Sequence, residues 1–339
     1  MKRCIELALK GAGRVAPNPM VGSVLVHNDK IIGEGFHEYY GGPHAEVNCI
    51  RSVQPGNEHL ISSATLYVSL EPCAHYGKTP PCTELILDKK IRQVVIGCRD
   101  PFAEVNGKGI SILREAGVDV EAGVLEAECI EVNKRFFFTV QHQRPYVILK
   151  WASTSNGMIA SVEGSRLMIS NALSNRLVHR WRSEEAAIMV GTNTALADDP
   201  ALNVRHWKGK SPVRVIVDRK LRLPGHLKVF DQSVSTIILN SVKEDQDSKL
   251  IHVRVGDDNV DSMLAALQDL KIQSVLVEGG AALLQSFINA GCWNEARVIT
   301  NETLTVAQGV AAPRLTNARL VKTESLGTDR IHHFIRQIS

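Results

Sequence analysis

Pro43-His44-Ala45-Glu46 and Thr65-Leu66-Tyr67-Val68-Ser69-Leu70-Glu71-Pro72-Cys73 are the stretches on which the reading of the fold turns. Residues 65–70 are a short apolar run that reads as a strand, and Pro72 ends it because proline has no ladder donor. Residues 44–52 read as a helix. Outward from these, residues 3–11 carry apolar groups at helical spacing. Val21–Val26 and Lys30–Phe36 read as strands meeting at the turn His27-Asn28-Asp29. Further along, 93–97 is a strand, 109–116 a helix, 118–121 a strand and 126–138 one helix. Alternation of this kind predicts a sheet with helices on both faces.

A boundary falls near residues 139–146, where Gln141-His142-Gln143-Arg144 is polar and Pro145 cannot continue a helix. The chain has 339 residues, too many for one ordinary core, so two domains are expected, 1–142 and 143–339. The second opens on a strand at 146–151. Strands follow at 187–190, 213–218, 235–239, 252–255, 274–277 and 297–300, with helices at 172–185, 261–270 and 281–290. This half is α/β as well, and it does not repeat the first in sequence.

Composition narrows the partners. Lysine and arginine number 39 against 36 acidic residues, a net charge of +3, and aromatics are 5%. Neither value predicts a nucleic-acid surface. No apolar stretch reaches the roughly 18 residues of a membrane span, and the first residues do not read as a signal peptide. A cytoplasmic location without membrane partners is expected. The seven cysteines, odd in number and unevenly spread, read as buried thiols and metal ligands rather than disulfides.

His44-Ala45-Glu46 followed by Pro72-Cys73 matches the zinc deaminase pattern H-x-E, then P-C-x-x-C, except that eight residues separate Cys73 from Cys82. One imidazole and two thiolates make three protein ligands and leave a fourth position for water, whose pKa zinc lowers to about 7. Glu46, two residues past His44 on the same helix, is placed to shuttle a proton from that water to a leaving amine. Cys73 is expected to cap the next helix. Singly, His44 reads as a surface histidine and each cysteine as a core residue; the conjunction does not. His75 and Lys78 form a basic patch in the loop, suited to a phosphate.

Pro17-Asn18-Pro19-Met20-Val21-Gly22, His44-Ala45-Glu46 and Glu71-Pro72-Cys73 continued to Gly77-Lys78-Thr79-Pro80-Pro81-Cys82 resemble the bifunctional deaminase/reductase family of riboflavin biosynthesis. The resemblance covers nearly the whole chain, and the eight-residue gap is the family's own. It implies a cytidine-deaminase-like α/β/α domain followed by a dihydrofolate-reductase-like α/β domain. It also implies one zinc per chain on His44, Cys73 and Cys82. Asn18 would contact the pyrimidine, with His75 and Lys78 at the ribose phosphate end. Gly11-Ala12-Gly13-Arg14-Val15-Ala16 fits a dinucleotide fingerprint, but it follows a helix instead of a strand and is set aside.

In the second half, Val275-Leu276-Val277-Glu278-Gly279-Gly280-Ala281 reads as strand, glycines and helix, which is either a phosphate cradle or a plain tight turn. In Ala197-Asp198-Asp199-Pro200-Ala201-Leu202-Asn203-Val204-Arg205, Arg205 stands at strand spacing, where its fork of donors suits a phosphate. With Arg144-Pro145-Tyr146-Val147 and Lys150, these resemble the reductase half of the same family. The resemblance implies an NADPH site lined by Ala152, Met168, Thr194 and Asp198, with Gly279 and Gly280 near the cofactor phosphates. It places substrate on Leu202, Arg205 and Glu278. The implied activity is zinc-dependent deamination of a phosphoribosylaminopyrimidine, then NADPH reduction of its ribosyl group, in a homo-oligomer. The alternative is a deaminase alone, with a non-catalytic binding or dimerisation second domain. Asn156 stands where the family usually has the aspartate of Ser-Leu-Asp-Gly, and reduction is expected to survive that change.

Overall fold

Alternating apolar residues settle the first sheet. The computed structural model describes the chain except residues 77–79, 103–104, 162–166, 258 and 338–339. It divides into two units, Met1–Gln143 and Arg144–Ser339. The first contains strands β1 (Gly22–His27), β2 (Lys30–Phe36), β3 (Thr65–Leu70), β4 (Gln93–Cys98) and β5 (Asp119–Ala122). Its helices are α1 (Lys2–Leu9), α2 (Ala45–Arg51), α3 (Cys82–Asp88), α4 (Lys108–Glu115), α5 (Glu126–Val132) and α6 (Lys134–His142). The sheet order is β2-β1-β3-β4-β5. β1 runs antiparallel to β2 and β3, while β3, β4 and β5 are parallel.

Leu25, Leu66, Val68, Ile96 and Val120 point to one face and pack on Cys49 and Ile50 of α2, Ile86 of α3 and Leu113 of α4. On the other face Val24 meets Cys4 and Leu7 of α1; at the strand ends Leu70 and Cys98 meet Cys129 and Phe137. The result is three layers, because successive strand residues point to opposite sides. α2 lies directly on the backbone of β2: a Cβ added to Gly35 would stand 2.3 Å from the amide nitrogen of Cys49. That contact fixes the helix that carries Glu46.

The sequence predicts one helix over 126–138; there are two. The break is at Asn133, whose side chain accepts from the Met20 amide at 2.7 Å and donates to the Met20 carbonyl at 2.8 Å. The Asn133 side chain is thus committed to a segment 113 residues away in sequence. Here it also ties down the segment that carries Asn18.

The second unit contains β6 (Tyr146–Ser153), β7 (Met158–Ser161), β8 (Ala187–Gly191), β9 (Val213–Val217), β10 (Thr236–Asn240), β11 (Asp245–Asp247), β12 (Leu250–Arg254), β13 (Ser274–Gly279), β14 (Glu295–Asn301), β15 (Gly309–Ala311), β16 (Ala318–Leu326) and β17 (Asp329–Arg336). Its helices are α7 (Ala172–Glu184), α8 (Thr192–Asp198), α9 (Val260–Asp269) and α10 (Ala281–Asn289). A ten-stranded sheet runs β11-β12-β10-β9-β8-β13-β6-β14-β17-β16. From β12 to β14 neighbouring strands are parallel; β11, β16 and β17 are antiparallel additions. Val147, Leu149, Met189, Val275 and Val277 pack under Leu264 of α9 and Leu284 and Phe287 of α10. Ile188, Val190, Ile216 and Ile238 meet Ala195, Leu202 and Val229 on the other face.

Candidate functional site

Two helix starts and one loop build the metal centre. His44 is the N-cap of α2, with extended φ and ψ of −70° and 163°. Cys82 is the first residue of α3, after Pro81. Cys73 lies between β3 and α3, and its thiol sulfur accepts the Cys82 amide at 3.2 Å. The sequence predicts that Cys73 caps the following helix; Pro81 holds the cap position, and Cys73 instead takes the first free N–H of α3 through its sulfur. His44 Nδ1 stands 3.5 Å from Cys73 Sγ and 3.3 Å from Cys82 Sγ. The three ligand atoms all lie within 4.8 Å of one another, and a single imidazole with two thiols is a donor set that zinc favours.

The two thiols influence each other strongly. Cys73 is held down to about 4, first by the hydrogen bond with Cys82 and then by His44, while Cys82 moves in the opposite direction. Glu46 lies in the first turn of α2 and is 3% exposed. Burial pushes its carboxyl pKa up, against the opposing pull of His44. A raised carboxyl beside a metal centre suits a group that must both take and give a proton.

The Glu-Pro-Cys sequence has a structural reason. The buried Glu71 carboxylate accepts the amides of Asp100 at 3.2 Å, Gly107 at 2.9 Å and Ile110 at 3.3 Å. It therefore anchors the start of α4 and fixes the chain that leads into Cys73. Asn18 is half-buried, and its Nδ2 donates to His37 Nε2 at 3.2 Å. His37 Nδ1 donates to the Pro43 carbonyl at 2.9 Å, which sets the tautomer and turns the Asn18 amide. No motif marks His37 in the sequence; its position after β2 and six residues before Pro43 is the available signal. His75 is exposed, its ring 6.4 Å from that of Phe102. Lys78 lies outside the described residues. The set-aside glycine motif, 11–16, does follow helix α1.

In the second unit Ala152, Thr194, Gly279 and Gly280 stand at or just beyond the carboxyl ends of the adjacent parallel strands β6, β8 and β13, where open α/β sheets hold ligands. Gly279 ends β13 and Gly280 is the N-cap of α10. The Gly280 amide donates to Thr194 Oγ1 at 2.9 Å, and a Cβ on Gly279 or Gly280 would stand 3.1 or 3.0 Å from the Thr194 side chain. Ala152 is half-buried near the end of β6, and Asp198 is exposed at the end of α8. Met168 is 66% exposed and follows the undescribed 162–166.

Glu278 is buried in a charged group that the sequence reading only half anticipated. Arg182 donates to it twice, both at 2.7 Å, and Lys150 Nζ lies 3.7 Å away. Burial opposes the Glu278 carboxylate, but Arg182 and then Lys150 outweigh it and hold its pKa down to about 2. Arg182 was missed because α7 looks like an amphipathic surface helix. Its signal was phase: it stands three residues after His179, on the stripe that α7 turns inward. Arg205 is not in a strand, as its spacing predicted, but in the irregular run 199–212, as is Leu202.

A zinc-site deaminase fold together with a parallel-sheet nucleotide-type reductase fold defines the class: a two-domain hydrolase and oxidoreductase. Residues 1–98 match the cytidine and deoxycytidylate deaminase zinc-binding region, and residues 145–330 match the RibD C-terminal domain. The riboflavin biosynthesis protein RibD of Aquifex aeolicus is 38% identical over 99% of this chain and 97% of its own length. That of Escherichia coli is 31% identical over 87% of this chain and 84% of its own. The crystal structure of a deaminase/reductase from Thermotoga maritima matches with a TM-score of 0.91 at 38% identity, covering 99% of this chain and 97% of that one. Acinetobacter baumannii RibD matches with a TM-score of 0.90 at 34% identity, covering 98% and 97%. The chain belongs to the RibD family of riboflavin biosynthesis. It carries a zinc-dependent deaminase domain and an NADPH-dependent reductase domain, with the fold classes expected from the sequence. No helix among the described residues is long and apolar enough to cross a membrane.

Proposed function

We propose that this chain deaminates 2,5-diamino-6-(5-phosphoribosylamino)pyrimidin-4-one and then reduces the ribosyl group of the product to ribityl. The observation that carries the reading is the convergence of His44, Cys73 and Cys82 beside the buried Glu46. His44, Cys73 and Cys82 would hold one zinc, which when bound supplies the Lewis acidity that makes water reactive at neutral pH. Water oxygen bonds to ring C2 while the exocyclic C–N bond breaks and ammonia leaves. Glu46 takes a proton from the water and returns it to the departing nitrogen. Asn18 orients the pyrimidine, and His75 and Lys78 take the phosphate end.

In the second domain Ala152, Met168, Thr194, Asp198, Gly279 and Gly280 line the NADPH site, and Leu202, Arg205 and Glu278 bind the substrate. NADPH, when bound there, would supply hydride chemistry; the substrate-binding residues would hold the opened sugar carbon against it, with the proton that completes the reduction drawn from solvent. The working protein is a cytoplasmic homo-oligomer acting on small molecules alone, without nucleic-acid or membrane partners, which size measurement and fractionation test.

The experiment is an assay of both steps on purified protein with metal analysis. Cys82→Ser should lose zinc and deamination together; full zinc with full deamination in that variant refutes the ligand set. We also propose that the domains 1–142 and 143–339 act separately. Each expressed alone should keep its own step, and soluble but inactive fragments would count against this.

A further inference from the structure

The run 199–212 carries Leu202 and Arg205 without regular secondary structure, yet its main chain is tied down at close intervals. Arg214 Nε donates to the Ala201 carbonyl at 2.9 Å, and Arg182 Nη1 to that of Asn203 at 3.3 Å. The Val204 amide donates to Ser211 Oγ at 3.1 Å, and the Arg205 amide to His179 Nδ1 at 3.1 Å. The rings of His179 and His206 meet edge to face at 4.7 Å. Arg176 and Arg180 of α7 cover the Trp207 ring at 5.2 and 5.8 Å. A Cβ on Gly209 would stand 2.5 Å from the Ser183 Cβ. Residues 203–209 are thus laid along α7, and the tie from His179 falls on the main chain of Arg205 itself.

We infer that His179 is a positioning residue for the reductase reaction, holding the backbone of Arg205 so that its guanidinium meets the substrate phosphate in one orientation. This rests on the reading that Arg205 binds substrate. His179 is 1% exposed. Burial, and then the charges of Arg182, His206 and Arg205, push its pKa down to about 4. The ring therefore stays neutral near pH 7, and the Nδ1 lone pair remains an acceptor for the Arg205 amide. The Arg205 guanidinium is held from the same loop, its Nη1 donating to Asn203 Oδ1 at 2.6 Å. A guanidinium fixed before substrate arrives loses less freedom on binding. The loss of such an anchor appears as weaker substrate binding and not as slower chemistry.

The test uses the full-length protein, the deaminated phosphoribosyl substrate and NADPH. His179→Asn places an amide oxygen where Nδ1 stood; His179→Gln moves the polar group to the ε position. We expect His179→Gln to raise KM for the substrate about tenfold, with kcat and KM for NADPH within about threefold, and His179→Asn to restore KM to within about threefold. An unchanged KM in His179→Gln, equal defects in both variants, or a common fall in kcat and NADPH binding would overturn the inference. Arg205→Ala is measured alongside. If its substrate KM is unchanged, the substrate reading of Arg205 fails. If its KM rises while that of His179→Gln does not, His179 alone is misassigned.

Discussion

His44, Cys73 and Cys82 come from two short segments of one unit and converge on a point, whereas Lys150, Arg182, Leu202, Arg205 and Glu278 arrive from strands, a helix and a loop spread over much of the other. The difference follows from the chemistry. A metal with short bonds demands particular atoms in a tight cluster, and the cheapest way to supply them is from helix starts next to strand ends. Reduction by a bound dinucleotide delegates the reactive atom to the cofactor and needs mainly shape, backbone approach and charge placement. Such a site can be assembled from distant residues, provided they meet at the carboxyl ends of parallel strands.

The sharpest way to break this comparison is to remove one atom's chemistry from each site. Glu46→Gln should keep zinc and lose about 10²–10⁴-fold in deamination rate, with reduction of supplied aminouracil product unaffected. Metal analysis and separate assays of the two steps check it. Near-normal deamination would mean that the compact site does not depend on its buried carboxyl.

In the reductase domain the corresponding change should show in stability as well as in rate. Glu278→Gln leaves Arg182 and Lys150 buried without their carboxylate, a loss of about 3 kcal/mol or more for a broken buried pair. Denaturant unfolding of the full chain should show the transition of the second unit moving first. The pH dependence has a definite sign. Glu278 sits at about 2 against an ordinary 4.5, so its folded-state pKa is depressed. Its contribution is present above about 4.5 and is lost as pH falls from there toward 2. The variant should lack that component of acid sensitivity; an identical acid profile would show that the charged group is not a stabilising unit.

The same contrast explains what could be read in advance. The metal ligands and Glu46 stand in short motifs whose residue types are rare in combination, and their strand and helix context was legible from period and proline. Arg182 and His179 lie in a helix with arginines on its exposed side, and nothing local separates inward from outward arginines except phase. Helix α8 and the β16–β17 hairpin went unread. β16 is largely exposed and mixes Arg319, Lys322 and Glu324 with apolar residues, so neither period stands out. The single helix expected over 126–138 is interrupted at Asn133, whose side chain is bonded to Met20, a pairing with no signature in the local sequence.

The smallest effect is expected at Asn156, where the family resemblance implies an aspartate and where the sequence suggested a near-neutral exchange. The structure gives the asparagine work that aspartate cannot do in full. Its Oδ1 accepts from Thr154 Oγ1 at 2.7 Å and from the Val306 amide at 3.3 Å, while its Nδ2 donates to the Val306 carbonyl at 2.8 Å. The side chain thus closes the turn that passes through Gly157, whose φ is +80°, and pairs it with the backbone at 306 in both directions. An ionised aspartate keeps the acceptor but sets a second oxygen against the Val306 carbonyl. Asn156 is exposed, so water relieves part of that repulsion. Asn156→Asp should therefore destabilise by about 1 kcal/mol and slow reduction only a few-fold, with deamination unchanged. Thermal unfolding and NADPH oxidation with the deaminated substrate measure both. If wild type is inactive and Asn156→Asp restores turnover, a carboxylate is required at this turn, and the diffuse site is as intolerant of a single atom as the compact one.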